Sequence, residues 1–184
     1  MQLPEQEATN DGWVEEVFRA NARFVANTLR RFGVPKADLS DQLQEVFVVV
    51  FRMQRAYDTS RPLRPWLFGI TYRVAARYRR ARGRSREVSE GNALDDVLLV
   101  DRAPLADSEL ETKQAQALVL AALERVDFDR RAVLILADIE DVPVPAIAES
   151  LQIPLNTAYS RLRLARQEFQ EAANRLRRKQ GDLQ

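Results

Sequence analysis

The sequence predicts an all-α fold of two small helical domains joined by a flexible acidic linker, the C-terminal domain containing a helix-turn-helix. Three observations predict it. Apolar residues recur at steps of three and four along most of the chain, the period of a helix with one buried face, and no run alternates as a strand would. The composition breaks once, across residues 83–107, where glycine, serine, proline and acids displace that period. The net charge of +1 also conceals blocks of opposite sign. Residues 51–86 carry 11 basic and 1 acidic side chain, residues 87–112 carry 1 and 8, and residues 152–184 carry 7 and 3. Two basic blocks flanking an acidic stretch suggest two separate contacts with a polyanion.

Residues 1–12 read as a polar, acidic tail, unlike a secretory signal. Val14, Val17, Phe18, Phe24, Val25, Thr28, Leu29 and Phe32 form one helical stripe, with Asn21 its polar exception. Gly33 and Pro35 end it. A second helix starts at Asp38 or Ser40, either of them a suitable cap, and runs to about Tyr57. DTSRPLRP is a loop, and Pro65 suits the first turn of a third helix. That helix continues through Trp66, Leu67, Ile70, Val74 and Tyr78 to about Arg82. Residues 13–82 therefore make one bundle and residues 83–107 the linker. Residues 108–178 make a second unit, with helices at 109–126, 129–138, 145–151 and 155–178, and residues 179–184 form a tail.

In the second unit Ile147, Ala148, Leu151, Ile153, Ala158 and Leu162 have helix-turn-helix spacing. Gln152 occupies the tight turn, where glycine is usual; a positive φ there costs on the order of 1 kcal/mol, which a packed core tolerates. Ala158, Leu162, Ala165 and Phe169 face inward on the second helix. Asn156, Tyr159, Ser160, Arg163 and Gln167 face outward, flanked by Thr157, Arg161 and Arg166. Amides, hydroxyls and guanidinium groups on one face suit a helix entering a DNA major groove.

The first unit presents two more surfaces. Leu43, Val46, Phe47, Val50 and Gln54 share one face of the second helix, and Val48 and Val49 project away from it. Asp41, Glu45, Val48 and Arg52 follow steps of four, three and four on that outer side. A strip mixing apolar and charged groups reads as a protein-binding surface, unless another helix of the bundle covers the two valines. On the third helix Arg73, Arg77, Arg80 and Arg84 form a row with Tyr72 and Tyr78 among or beside them, and Arg61 and Arg64 precede it. Guanidinium groups neutralise phosphates and aromatic faces accept unstacked bases, which favours nucleic acid over an acidic membrane surface.

The chain has neither cysteine nor histidine. Disulfides, thiolate metal sites and the usual neutral-pH general base are therefore missing. No catalytic, cofactor-binding or metal-binding residues are expected, and the chain is not read as an enzyme. No stretch reaches the roughly 18 apolar residues of a membrane span, so no membrane insertion is expected and a cytoplasmic location is.

Three stretches in order, DQLQEVFVVVFR, RPLRPWLFGI and IAESLQIPLNTAYSRLRLAR, resemble a bacterial RNA polymerase sigma factor of the small extracytoplasmic-function class, over about Trp13 to Ala172. The resemblance implies that Asp41, Gln44, Glu45, Val48, Val49 and Arg52 bind core polymerase, whose large-subunit clamp coiled coil and flap are the partner surfaces. It implies that Arg61, Arg64, Trp66, Tyr72, Arg73, Arg77, Arg80 and Arg84 bind the promoter −10 element. It assigns the −35 element to Asn156, Thr157, Tyr159, Ser160, Arg161, Arg163 and Arg166. The linker would thread through the polymerase, and an anti-sigma factor is a further partner the class implies. The family carries asparagine and aspartate where this chain has Arg73 and Arg77, so its −10 base preference does not carry over. Asn156 replaces a small residue at the −35 helix. The rivals are a stand-alone helix-turn-helix regulator with a sensing or dimerising bundle, and an enzyme such as a serine recombinase. The latter would need an α/β catalytic domain, for which there is no strand pattern.

Overall fold

The structure, a computed structural model, describes residues 6–88 and 107–181, all of it helix and short connection with no strand among the described residues. Seven α-helices follow in order: α1 Gln6–Arg31, α2 Leu39–Met53, α3 Leu63–Val88, α4 Asp107–Glu124, α5 Phe128–Leu134, α6 Val144–Leu151 and α7 Leu155–Gly181. Short 3₁₀ turns at Lys36–Asp38 and Gln54–Ala56 bracket α2, and a π turn, Ile135–Ile139, continues α5. Three helices outrun their expected ends. α1 reaches back into the tail, α3 continues past Gly83, and α7 passes residue 178. One glycine among arginines and alanine costs a helix only about 1 kcal/mol, too little to stop it. Most of the expected linker, residues 89–106, lies outside the described residues.

Gly33, at φ 82°, ends α1 as the sequence requires. Asp38 sits at the N-cap of α2 but its side chain caps nothing there. Instead it accepts a short hydrogen bond from the Tyr78 hydroxyl on α3, which fastens the start of α2 across the bundle. Asp127 does cap: its carboxylate accepts from the amides of Asp129 and Arg130, at 3.1 and 3.2 Å. The expected single helix over 129–138 is in fact α5 plus the wider π turn, left through Asp141 at φ 51°.

Val17, Val25, Leu29, Val46, Val50, Leu67, Phe68, Ile70 and Val74 fill the space between α1, α2 and α3. The buried Asn21 is satisfied within its own helix, donating from Nδ2 to the Val17 carbonyl at 3.0 Å. Leu123, Val126, Val133, Ile135, Leu136, Ile147, Leu162 and Ala165 fill the second unit, and both sets belong to one continuous buried cluster. The Phe128 ring lies 5.1 Å from Phe32 and stacks at 5.5 Å on Tyr72, with the Arg79 guanidinium 5.2 Å from its centroid. Arg131, only 5% exposed, donates to the carbonyls of Arg31 (3.3 Å), Glu124 (2.8 Å) and Val126 (3.1 Å). These carbonyls lie at or just beyond the C-terminal ends of α1 and α4, where partial negative charge suits a buried cation. Burial pulls the Arg131 pKa down to about 10, so the group stays charged at neutral pH.

Candidate nucleic-acid interface

Pro65 opens α3 well, and Leu67, Ile70 and Val74 anchor its inner side in the core. That anchoring turns Arg73, Arg77 and Arg80 outward, and all three are exposed. Arg84 continues the row along α3, its side chain outside those described. The four are not equivalent. The Arg77 guanidinium is held by Glu45 of α2 at 2.5 Å. The Arg73 guanidinium lies 3.6 Å from where a Cβ on Gly69 would stand, and partial loss of water lowers its pKa. Arg61 pairs with Asp58 at 3.2 Å and with Glu149 of α6 at 2.5 Å. Arg64 lies over the Phe24 ring, 5.5 Å from its centroid.

The aromatic residues depart from the expected open platform. Trp66 is half-buried in a cluster with Tyr57, 4.8 Å away, and Trp13, 6.5 Å away. Tyr72 does not stand among the exposed arginines. Its ring is stacked on Phe128, and its hydroxyl donates to Asp129 Oδ1 at 2.7 Å. Burial, reinforced by that carboxylate, pushes its pKa up to about 12. Tyr78 is tied to Asp38, and its pKa rises through burial first and that hydrogen bond second.

On α2, Val46, Phe47 and Val50 turn inward, leaving Asp41, Gln44 and Arg52 exposed and Glu45 on its ion pair with Arg77. Val48 and Val49 part company. Val49 packs against the core, whereas Val48 lines a shallow groove of about 430 Å³ with Phe18, Leu43, Gln44, Phe47 and Phe51. Phe18 is 41% and Phe51 48% exposed. Phe18, expected in the buried stripe of α1, is thus a correction. Three helices cover only part of so wide a stripe, and its outer edge spills into the groove. Phe51 was missed, although it lies one turn beyond Val48 on the same outer strip.

The helix-turn-helix is made by α6 and α7. Gln152 sits at φ 56°, ψ 46°, the left-handed conformation its position requires. Its N–H bonds the Glu149 carbonyl at 3.1 Å, and the Ile153 N–H bonds that of Ala148 at 2.9 Å. This pairing closes α6 as a Schellman motif, with a glutamine where glycine is favoured. Ala158, Leu162 and Ala165 are buried, so Asn156, Tyr159, Ser160, Arg163 and Gln167 project into solvent as expected. Thr157 and Arg161 are half-buried. Arg161 meets Asp129 at 3.2 Å, and Asp138 holds Arg166 through two hydrogen bonds of 2.7 and 3.0 Å. Arg163 makes no ion pair among the described residues and is the free cation at the centre of this face.

The fold and its faces define a two-module DNA-engaging protein, with a basic row on α3, a polar-basic helix in α7, and an apolar groove on α2. Comparison with known families agrees. Residues 17–85 match sigma-70 region 2 and residues 116–169 match sigma-70 region 4, together about two-thirds of the chain. Among curated relatives, the RNA polymerase sigma factor NccH of Alcaligenes xylosoxydans is 26% identical over 82% of this chain and 81% of its own. The RNA polymerase sigma factor CnrH of Cupriavidus metallidurans is 28% identical over 77% and 76%. The extracytoplasmic-function sigma-E factor of Escherichia coli is 24% identical over 78% and 77%. In fold, the chain is similar to the sigma factor RpoE of Bartonella quintana, solved with the anti-sigma factor NepR, at a TM-score of 0.68 and 18% identity. That likeness covers 87% of this chain and 96% of the other. The chain belongs to the sigma-70 family, as a promoter-directing sigma factor of the extracytoplasmic-function class. Its family is one of transcription initiation factors, not a catalytic one. No helix among the described residues is long and apolar enough to cross a membrane.

Proposed function

We propose that the chain divides its work among three faces. The outer side of α2, with Asp41, Gln44, Glu45, Val48 and Arg52, docks on core polymerase at the clamp coiled coil, Phe18 and Phe51 join it, and Val49 supports it from the core side. The α3 row and the loop before it take the −10 element as it opens. The outer face of α7 reads the −35 element as duplex, Arg163 foremost, while polymerase supplies all the catalysis. The module spanning residues 13–82 would carry the first two tasks and that spanning residues 108–178 the third, in the cytoplasm where core polymerase and promoters lie. An anti-sigma protein is a further partner, since the similar RpoE was solved with one.

The observation that carries this reading is the placement of Val48. A valine presented beside two exposed phenylalanines, on the side of α2 away from its core face, is unfavourable unless a partner covers it. Val48→Glu is expected to abolish co-purification with core polymerase while leaving the circular dichroism spectrum and melting temperature near wild type. Normal co-purification would remove the docking assignment. Mapping transcript starts from genomic fragments with reconstituted holoenzyme then identifies the promoters.

A further inference from the structure

α7 opens with a leucine that its own period would bury. At about 100° per residue, Leu155 lies within about 20° of Leu162 around the helix. Leu162 is 6% exposed, but the core stops short of Leu155. Ile153 and Ala158 turn inward on either side of it, and the Ala158 N–H bonds the Pro154 carbonyl at 3.0 Å to start the helix. Leu155 is left 43% exposed, and Tyr159, one turn on, 53%. Five large apolar residues stand exposed among the described residues. Phe18 and Phe51 belong to the α2 groove and Val119 to α4, so Leu155 and Tyr159 are the second adjacent pair. Residues four apart form a ridge along a helix, and Leu155, Tyr159 and Arg163 are successive members of one. It runs from the edge of the core to the cation at the centre of the outer face, and no acid occurs on α7 before Glu168.

We propose that Leu155 and Tyr159 make an apolar ridge that recognises thymine in the promoter duplex through its 5-methyl group. The proposal deepens the assignment of α7 to the −35 element and rests on it. In the major groove thymine alone presents a methyl group, which is met by apolar side chains and not by hydrogen bonds. The first turns of a recognition helix are the ones that reach base edges, and both residues lie there. Side chains four apart stand about 5–6 Å from each other, and bases rise about 3.4 Å along a strand, so the pair covers two neighbouring base pairs. Arg163, next along the ridge, suits guanine beyond them. Contact removes the methyl groups and the two side chains from water together, which is the source of the gain. A protein partner would also cover an exposed leucine, but a ridge that ends in a cation on an acid-free face is matched to DNA.

Deoxyuridine supplies the test, because it pairs as thymine does and lacks only the 5-methyl group. Thymines of a mapped −35 element are replaced one at a time, and binding of the reconstituted holoenzyme is followed by competition in fluorescence anisotropy. Two neighbouring positions are expected to lose roughly fourfold each, the effect of burying one methyl group. Leu155→Ala should bind the thymine duplex more weakly by a similar factor and no longer distinguish thymine from deoxyuridine at one of these positions. Tyr159→Ala should do the same at the other, and Tyr159→Phe should keep the distinction because the ring makes the contact. Both side chains are exposed and alanine suits a helix, so melting temperatures near the parent's are expected. Deoxyuridine accepted everywhere as thymine would overturn the proposal, as would mapped elements without an A·T pair. Variants that lose affinity equally on both duplexes would overturn it too, and would mean that the ridge touches protein. Preference for the mapped element over a scrambled one is read alongside. Its absence removes the assignment of α7 to the −35 element altogether, whereas its presence without a methyl effect removes only the thymine reading.

Discussion

Replacing Tyr72 by phenylalanine removes one hydroxyl from the junction between the modules and leaves the ring stacked on Phe128. The lost interaction is a 2.7 Å hydrogen bond to the Asp129 carboxylate. The phenol's pKa is pushed up from the usual 10 to about 12, by burial first and by this hydrogen bond second. Two pKa units correspond to about 2.7 kcal/mol between the two protonation states. Burial supplies the largest share of that and solvent screens part of the rest, so the bond itself is put at roughly 1–2 kcal/mol, toward the low end for hydrogen bonds to charged groups. The folded pKa is raised above the unfolded one. The contribution is thus fully present below pH 10 and disappears as pH climbs from 10 toward 12. Urea unfolding of parent and Tyr72→Phe, at intervals from pH 8 to 11.5, measures it. The other tyrosines cancel in the difference. The expected gap is roughly 1–2 kcal/mol at pH 8, closing steadily above pH 10. A gap that stays constant across the range, or is absent at pH 8, would refute the assignment of the hydrogen bond.

Three further outcomes are expected of the helix-turn-helix. Arg163→Ala should weaken −35 binding by about 1–3 kcal/mol and relax preference at one base pair, measured by competition among single-base operator variants. Arg166→Ala should do less, because Asp138 already holds that guanidinium; equal losses would show that the pair opens on DNA. Gln152→Gly should stabilise the chain by up to about 1 kcal/mol, through relief of the left-handed conformation. That is a rise of about 2–4 °C in melting temperature, and calorimetry showing a fall would contradict the strain.

The inner faces of α2 and α7 were legible because a helix in a core repeats a geometric rule. Val46 and Val50, and Ala158 and Leu162, are one turn apart and buried together. The left-handed glutamine was legible for the same reason, since the turn's spacing demands it whatever side chain it bears. The fate of individual polar groups was not. Asp38 has a capping residue's identity and position, yet its carboxylate serves Tyr78, forty residues away. Tyr72 lies beside arginines in sequence, but its partners Phe128 and Asp129 come from the other module. No periodicity encodes a contact between units whose internal packing is already satisfied, so the junction could be found only in three dimensions. The arginine row shows the same divide: its exposure follows from the pattern, and the pairing of Arg77 with Glu45 does not.

That pairing sets two proposed tasks against each other, because Glu45 belongs to the docking face and Arg77 to the DNA row. Both side chains are substantially exposed, at 41% and 58%, so the pair contributes at most about 1 kcal/mol to stability. Its larger effect is on the charge available to phosphate. Glu45→Gln should leave the melting temperature nearly unchanged. In the isolated chain, it should steepen the salt dependence of single-strand binding by about one phosphate equivalent, as Arg77 is released. In holoenzyme the same substitution should leave the salt dependence of promoter binding unaltered, provided the polymerase is saturating, because docking has already drawn Glu45 away. Salt slopes from fluorescence anisotropy decide it. No change in the isolated chain would mean that Arg77 never reaches the strand, and an equal change in both settings would mean that docking leaves the pair intact.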